Sequence, residues 1–269
     1  LIVCITAVFA LSAVVYALTA QQWYKAEVVL VPAKKNQGLQ AQLHNLAGLA
    51  SIAGVNIGDK SEGVEALAML KSNGLARKFI HERKLLPILF ADKWDSAAGK
   101  WKSKDPEDWP DDRDAVRYFK KVICQVSDDN RTGLVTVSIE WKDREVAAQW
   151  ANALVELVNE QMRQRALTES EQNAKFLRDQ LSATSIATLQ LSISRLLENE
   201  LQTLMLARGT REFAFHIVDP ATPPKWRSRP KRTLLVCVAT LGGAIFSVVL
   251  VLLIRAWRQS APPRAADGE

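Results

Sequence analysis

Three histidines (His44, His81, His216) and three cysteines (Cys4, Cys124, Cys237) are the side chains best suited to nucleophilic, acid–base or metal chemistry here. Covalent catalysis needs a nucleophile, a base within hydrogen-bond reach, and a group that orients the base. No spacing in this chain brings such a set together. Each histidine stands apart, and His216 falls on the polar face of a strand-like run, where it reads as structural. Cys4 and Cys237 lie in long uncharged runs, which leaves Cys124 without a disulfide partner and reads as a small packing residue. The acidic run Asp105–Asp114 (DPEDWPDDRD) lacks the glycine and closing Glu of a calcium loop, so a solvated loop is expected. No glycine-rich phosphate loop follows a strand. Asn130-Arg131-Thr132 matches a glycosylation sequon, but within a turn it reads as coincidence. The residues therefore predict no catalytic group, cofactor, metal or nucleic-acid partner.

The 269 residues are 48% hydrophobic, enough for one sizeable domain or two small ones, but the apolar residues are segregated. Leu1–Leu18 and Thr233–Ile254 contain no charged residue. As a helix the second run measures about 33 Å, sufficient to cross a hydrocarbon core of about 30 Å. The first run is shorter; Trp23 and Tyr24 follow it as interface anchors do. It is read as a transmembrane helix, with a signal peptide as the alternative, since Ala17-Leu18-Thr19-Ala20 is a loose cleavage match. Two spans then flank a loop of residues 21–232, followed by a short tail at 255–269. Lys225, Arg227, Arg229, Lys231 and Arg232 precede the second run, whereas Arg255, Arg258 and Arg264 follow it. Counted locally, that asymmetry favours a cytoplasmic loop, but the rule weakens for loops longer than about 60 residues. Charge leaves the orientation open.

Within the loop, Glu27–Pro32 is predicted to be a strand stopped by proline. Gly38–Gly63 is rich in small residues and reads as mobile or loosely helical. Ser61–Leu86 carries helical spacing through Val64, Leu67, Leu70, Leu75, Phe79 and Ile80, opened by Ser61, Glu62 and Glu65. Lys121–Val126 and Leu134–Trp141 form a hairpin, with Val135, Val137, Ile139 and Trp141 on one face; Asp128–Gly133 supplies its turn. Asp143–Ala207 runs 65 residues without Pro or Gly. Its apolar face fades to a polar middle after Met162, and a reversal is expected at Ser182–Ser185. Ile186, Leu189, Ile193, Leu196, Leu197, Leu201 and Leu204 mark a second helix. Arg211–Val218 closes the domain as a strand with Phe213, Phe215 and Ile217 on one face. Pro220, Pro223, Pro224 and Pro230 then make an extended linker that cannot continue a helix. Lys231 and Arg232 bring it to the second span, where Ala239, Gly243 and Ser247 recur every four residues, a spacing that permits close helix approach.

This order of parts resembles the Wzz-type chain-length determinants, the polysaccharide co-polymerases of Gram-negative bacteria. The resemblance is carried by Leu46–Gly58, Leu67–Phe79, Lys142–Leu154, Phe176–Leu206, and the segment from Val218-Asp219-Pro220 to Pro230-Lys231-Arg232. Trp226 among extra arginines and a short hairpin depart from the pattern. The resemblance implies an α+β fold: two transmembrane helices (1–20, 233–254) flanking a periplasmic α/β base (21–142 and 208–219), with a long protruding helical hairpin (143–207) and the linker at 220–232. It implies an inner-membrane, multi-pass homo-oligomer that regulates the length of O-antigen lipopolysaccharide or a related polymer. Its partners would be the bilayer, a separate polysaccharide polymerase and the growing lipid-linked polysaccharide. The alternative is a membrane adaptor that activates a separate cytoplasmic tyrosine kinase in capsule or exopolysaccharide export. No Walker motif follows Ile254, so that kinase is not expected on this chain.

Overall fold

A computed structural model describes residues 11–17, 19–33, 61–231, 233 and 236–247. Most of the Gly38–Gly63 stretch and the tail lie outside the described residues, as do Leu46–Gly58 and residues 248–254 of the second uncharged run. The chain forms two compact units, one spanning Lys25–Pro224 and the other built from the chain's two terminal regions, Leu1–Tyr24 and Lys225–Glu269.

The larger unit mixes helix and sheet, as expected. Its sheet has the order β4-β5-β1-β6: β1 is Tyr24–Pro32, β4 Cys124–Asp129, β5 Leu134–Trp141 and β6 Phe215–Asp219. Alternation puts Ala26, Val28 and Leu30 of β1 and Val135, Val137 and Ile139 of β5 in the core. Ser138, Glu140 and Trp141 are buried too, so both faces at that end of β5 are covered. Helix α5 (Arg144–Ala183) lays Ala147, Ala151, Leu154, Val155 and Val158 against this sheet. Asp143 starts it, its carboxylate accepting from the backbone N–H groups of Glu145 (2.8 Å) and Val146 (3.2 Å). Phe79 and Phe119, with ring centroids 5.5 Å apart, complete the core from the other helices.

The helical stretch Ser61–Leu86 is not one helix. It divides into α1 (Ser61–Leu70) and α2 (Asn73–Glu82), because the Ser72 hydroxyl accepts from Leu75 N at 3.0 Å and caps a new start. Val64, predicted on the apolar face, is 59% exposed. After the one-turn α3 (Leu86–Leu89) come two short strands, β2 (Trp94–Asp95) and β3 (Lys100–Trp101). The acidic run is more ordered than a solvated loop. Asp105 caps a 3-10 turn at Pro106–Asp108, and Asp111 caps α4 (Asp112–Tyr118). Lys121–Ile123, expected in the first strand of the hairpin, instead belong to a wide helical turn, Phe119–Ile123, that buries Phe119 and Ile123. The hairpin itself pairs β4 with β5 antiparallel, Val126 opposite Val137. Asp128 and Asp129, placed in the turn by the sequence, are the last residues of β4, and Gly133 takes the positive φ (+72°) that closes the turn.

Helix α6 (Ala187–Gly209) follows the three-residue break Thr184–Ile186, within two residues of the predicted reversal, and packs beside α5. Phe213 precedes the closing strand, which is shorter than predicted; β6 buries Phe215, exposes His216, and pairs antiparallel with β1.

Candidate functional site

His81 and His216 belong to different elements, α2 and β6. The His81 ring is 2.8 Å from the Asp112 carboxylate at the surface, His216 pairs with Glu212 at 3.1 Å, and His44 lies outside the described residues. Among the described residues no three His, Cys, Asp or Glu side chains group to hold a metal. Cys124 is buried, and burial pushes its thiol up to about 12, so it stays protonated at neutral pH.

The linker begins on the larger unit with a clamp that sequence reading missed. Asn152 of α5 binds Ala221 reciprocally: its side-chain oxygen accepts from Ala221 N (2.9 Å) and its NH2 donates to Ala221 O (2.9 Å). Seven residues on, two turns along the same face, buried Asn159 repeats the device. Its oxygen accepts from the N–H groups of Ala214 and Phe215, both at 2.8 Å, and its NH2 donates to Phe215 O at 3.0 Å. These two amides tie β6 and the start of the linker to the long helix. The signal in the sequence is an asparagine every seven residues on an otherwise Ala/Leu/Val face. Pro220 and Pro223 are exposed and Pro224 half-buried, and none of them is helical.

In the smaller unit, Lys225 sits over the exposed Trp226 ring, its ammonium 5.4 Å from the centroid. Trp23 and Arg229 pair as a short antiparallel bridge: Trp23 N donates to Arg229 O (3.1 Å) and Ser228 N to Trp23 O (2.7 Å). Pro230 follows through a cis peptide bond. Lys231 is exposed, and Arg232 lies outside the described residues.

The two helical segments of this unit are inside out relative to a water-soluble domain. In residues 236–247 the small residues spaced every four positions are covered: Gly243 is buried, Ser247 is 0% exposed and Ala239 is half-buried. Val238, Leu241, Ile245 and Phe246 face outward, each more than half exposed. Residues 11–17 repeat the arrangement, with Ala13 and Ala17 buried while Leu11, Val15 and Tyr16 are exposed. Side-chain hydroxyls turn back on their own helices: Thr19 to Val15 O (3.0 Å), Thr240 to Val236 O (2.6 Å) and Ser247 to Ala244 O (2.8 Å). Among the described residues, no helix is long and apolar enough to cross a membrane.

The family model of Wzz, the chain length determinant protein, matches residues 1–83. The match covers the first third of the chain. It is similar to a full-length bacterial polysaccharide co-polymerase, at 13% identity over 99% of this chain and 95% of that one, with a TM-score of 0.42. A fragment of WzzB, a polysaccharide co-polymerase from Salmonella Typhimurium, is 15% identical over 78% of this chain and all of its own, with a TM-score of 0.33. A Shigella flexneri lipopolysaccharide O-antigen chain-length regulator is 11% identical over 77% of this chain and all of its own, with a TM-score of 0.23. All three superpose loosely. A search of curated proteins returns no match.

Proposed function

We propose that this protein sets the length of a bacterial surface polysaccharide, O-antigen lipopolysaccharide or a related polymer, as an oligomeric inner-membrane scaffold working with a separate polymerase. The observation that carries the function is the family match over residues 1–83. The membrane setting is supported by the inside-out segments. Large apolar side chains facing outward, small ones inward and hydroxyls returned to helix carbonyls are what a hydrocarbon surrounding selects. On this reading Leu1–Leu18 and Thr233–Ile254 span the bilayer, and residues 21–232 lie in the periplasm beside the lipid-linked polymer.

Assembly is supported by the hairpin surface. Phe176 of α5 and Leu191, Leu196 and Met205 of α6 are each more than half exposed, more apolar surface than an isolated helical pair needs to show. The expected particle in mild detergent is a homo-oligomer, and a clean monomer in several detergents and in native membranes would refute it.

The linker and the small-residue stripe are the proposed means of transmission. Prolines 220, 223, 224 and 230 make a semi-rigid strut; Lys231 and Arg232 anchor it at headgroups; Ala239, Gly243 and Ser247 set how closely the second span packs. Cysteine introduced at Lys100 should label with an impermeant reagent in intact spheroplasts. Labelling only after lysis would reverse the topology.

A further inference from the structure

Residues 90–110 form a knob whose outer cleft no step of the scaffold reading uses. Its frame is prebuilt. The Asp95 carboxylate accepts from Ala97 N (3.0 Å) and Ala98 N (3.2 Å), and Gly99 at φ +62° closes the turn that pairs β2 with β3. The rings of Trp94 and Trp101 meet edge to face, centroids 4.8 Å apart, and Phe90 packs on Tyr118 of α4 at 5.8 Å. The Trp109 indole N–H donates to Ser103 O at 3.0 Å, which fixes the ring although the residue is 43% exposed.

Between these walls lies a cleft of about 350 Å³, bounded by Trp101, Trp109, Asp92, Lys93, Lys102 and Asp108. That is near the lower end of the roughly 300–1,000 Å³ usual for small-ligand sites. Lys102 Nζ is held by Asp92 O (2.8 Å), and one oxygen of Asp108 accepts from the Ser103 hydroxyl (3.0 Å). The Asp92 carboxylate and the Lys93 ammonium make no hydrogen bond or ion pair among the described residues, so they remain open to a ligand.

We infer that this cleft binds a short stretch of neutral saccharide. Indole rings offer flat apolar faces to the C–H face of a sugar ring, while carboxylates and ammonium groups at the margin meet its hydroxyls. The charge balance selects the class. Two carboxylates face two ammonium groups, so the lining is close to neutral. A phosphate- or sulfate-bearing ligand would need a surplus of cations, and a cationic one a surplus of acids.

The ligand class is drawn from the cleft alone, and the test needs no polymerase, so its failure leaves chain-length control untouched. The full chain, held in nanodiscs to avoid glycosidic detergents, would be probed by saturation-transfer NMR. The probes are neutral hexasaccharides of glucose, galactose and mannose, a sulfated hexasaccharide, and a proline-rich peptide. Saturable transfer from at least one neutral probe is expected, weakened roughly tenfold by Trp109→Ala, in line with loss of one aromatic contact. Asp92→Asn, which leaves the aromatic frame intact, should weaken it as well, with an unchanged thermal midpoint. No saturable transfer from any neutral sugar, equal binding by both folded variants, or preference for the sulfated or peptide probe would overturn the proposal.

Discussion

Helix α5 passes through two environments that are stabilised differently. Nine of its eleven buried residues lie between Ala147 and Asn159, where it rests on the sheet; beyond Met162 only Ser170 and Ala174 are buried. In the first region, apolar area removed from water does the work, with Leu154, Val155 and Val158 at 2% exposure or less. In the second, small side chains let α6 come close, and the surface is laced by charge. Arg165 reaches Glu169 (2.8 Å) and Glu65 (3.1 Å), Arg208 reaches Glu171 (3.1 Å), and Asn173 donates to Glu200 (3.2 Å). Exposed pairs of this kind, screened by water and salt, contribute little each. A single continuous helix therefore joins a base that resists opening to a hairpin that yields more readily, a suitable division if the base holds position while the hairpin meets other subunits.

The largest expected effect breaks the base. Phe119→Ala removes a ring fully packed against Phe79 and should cost about 3–5 kcal/mol. In a background lacking Cys4 and Cys237, the same variant should expose Cys124 to alkylation at pH 8, where the native thiol is protonated and buried. Rapid alkylation of the native protein would show that the base is not closed.

Asn159→Ala strips partners from two backbone N–H groups and one carbonyl in the interior, and should cost about 2–4 kcal/mol. Hydrogen exchange should rise first at Ala214 and Phe215. Loss confined to the hairpin would contradict the clamp.

Ala174→Leu tests the close approach of α5 and α6. Overpacking should cost about 1–3 kcal/mol, read as loss of helical signal with Cys124 still protected. Arg165→Ala should cost less than either Asn159→Ala or Ala174→Leu and matter less as salt rises.

Acid gives the smallest and most diffuse effect. Arg163 and Gln164 hold Glu160 below its ordinary 4.5, and Lys71 holds Asp128 below its ordinary 3.8. Stability from a depressed carboxylate is complete above the unfolded value and is lost as pH falls through the folded one. Thermal midpoints should fall below about pH 4.5 and be flat with respect to these groups above it.

Much of this was legible in the residues. Alternation in β1 and β5, the Pro- and Gly-free run of α5 and α6, and the reversal near Ser182–Ser185 follow from periodicity and turn chemistry alone. What escaped it has local causes. Ser72 redirects a backbone N–H and splits one apparent helix into α1 and α2, although the apolar spacing continues across the break. Lys121–Ile123 look strand-like but finish a helical turn, because Phe119 and Ile123 need the same core. The fading apolar face of α5 after Met162 shows no partner in the sequence. Within the chain, Ser170 and Ala174 are buried and Glu171 and Asn173 meet partners on α6, a pairing that no single-helix pattern displays. The seven-residue spacing of Asn152 and Asn159 is visible in the sequence, but its meaning comes only from the strand and linker laid across them. Proline chemistry and small-residue spacing mark the linker and span residues, and their role rests on experiment.

The most direct test of chain-length control resolves the surface polysaccharide ladder on a gel after deletion and complementation. The account predicts that deletion abolishes the modal length and that the native chain restores it. It also predicts that Pro230→Ala or Gly243→Leu shifts the mode while expression and oligomer size stay unchanged. A modal distribution that survives deletion would contradict the account.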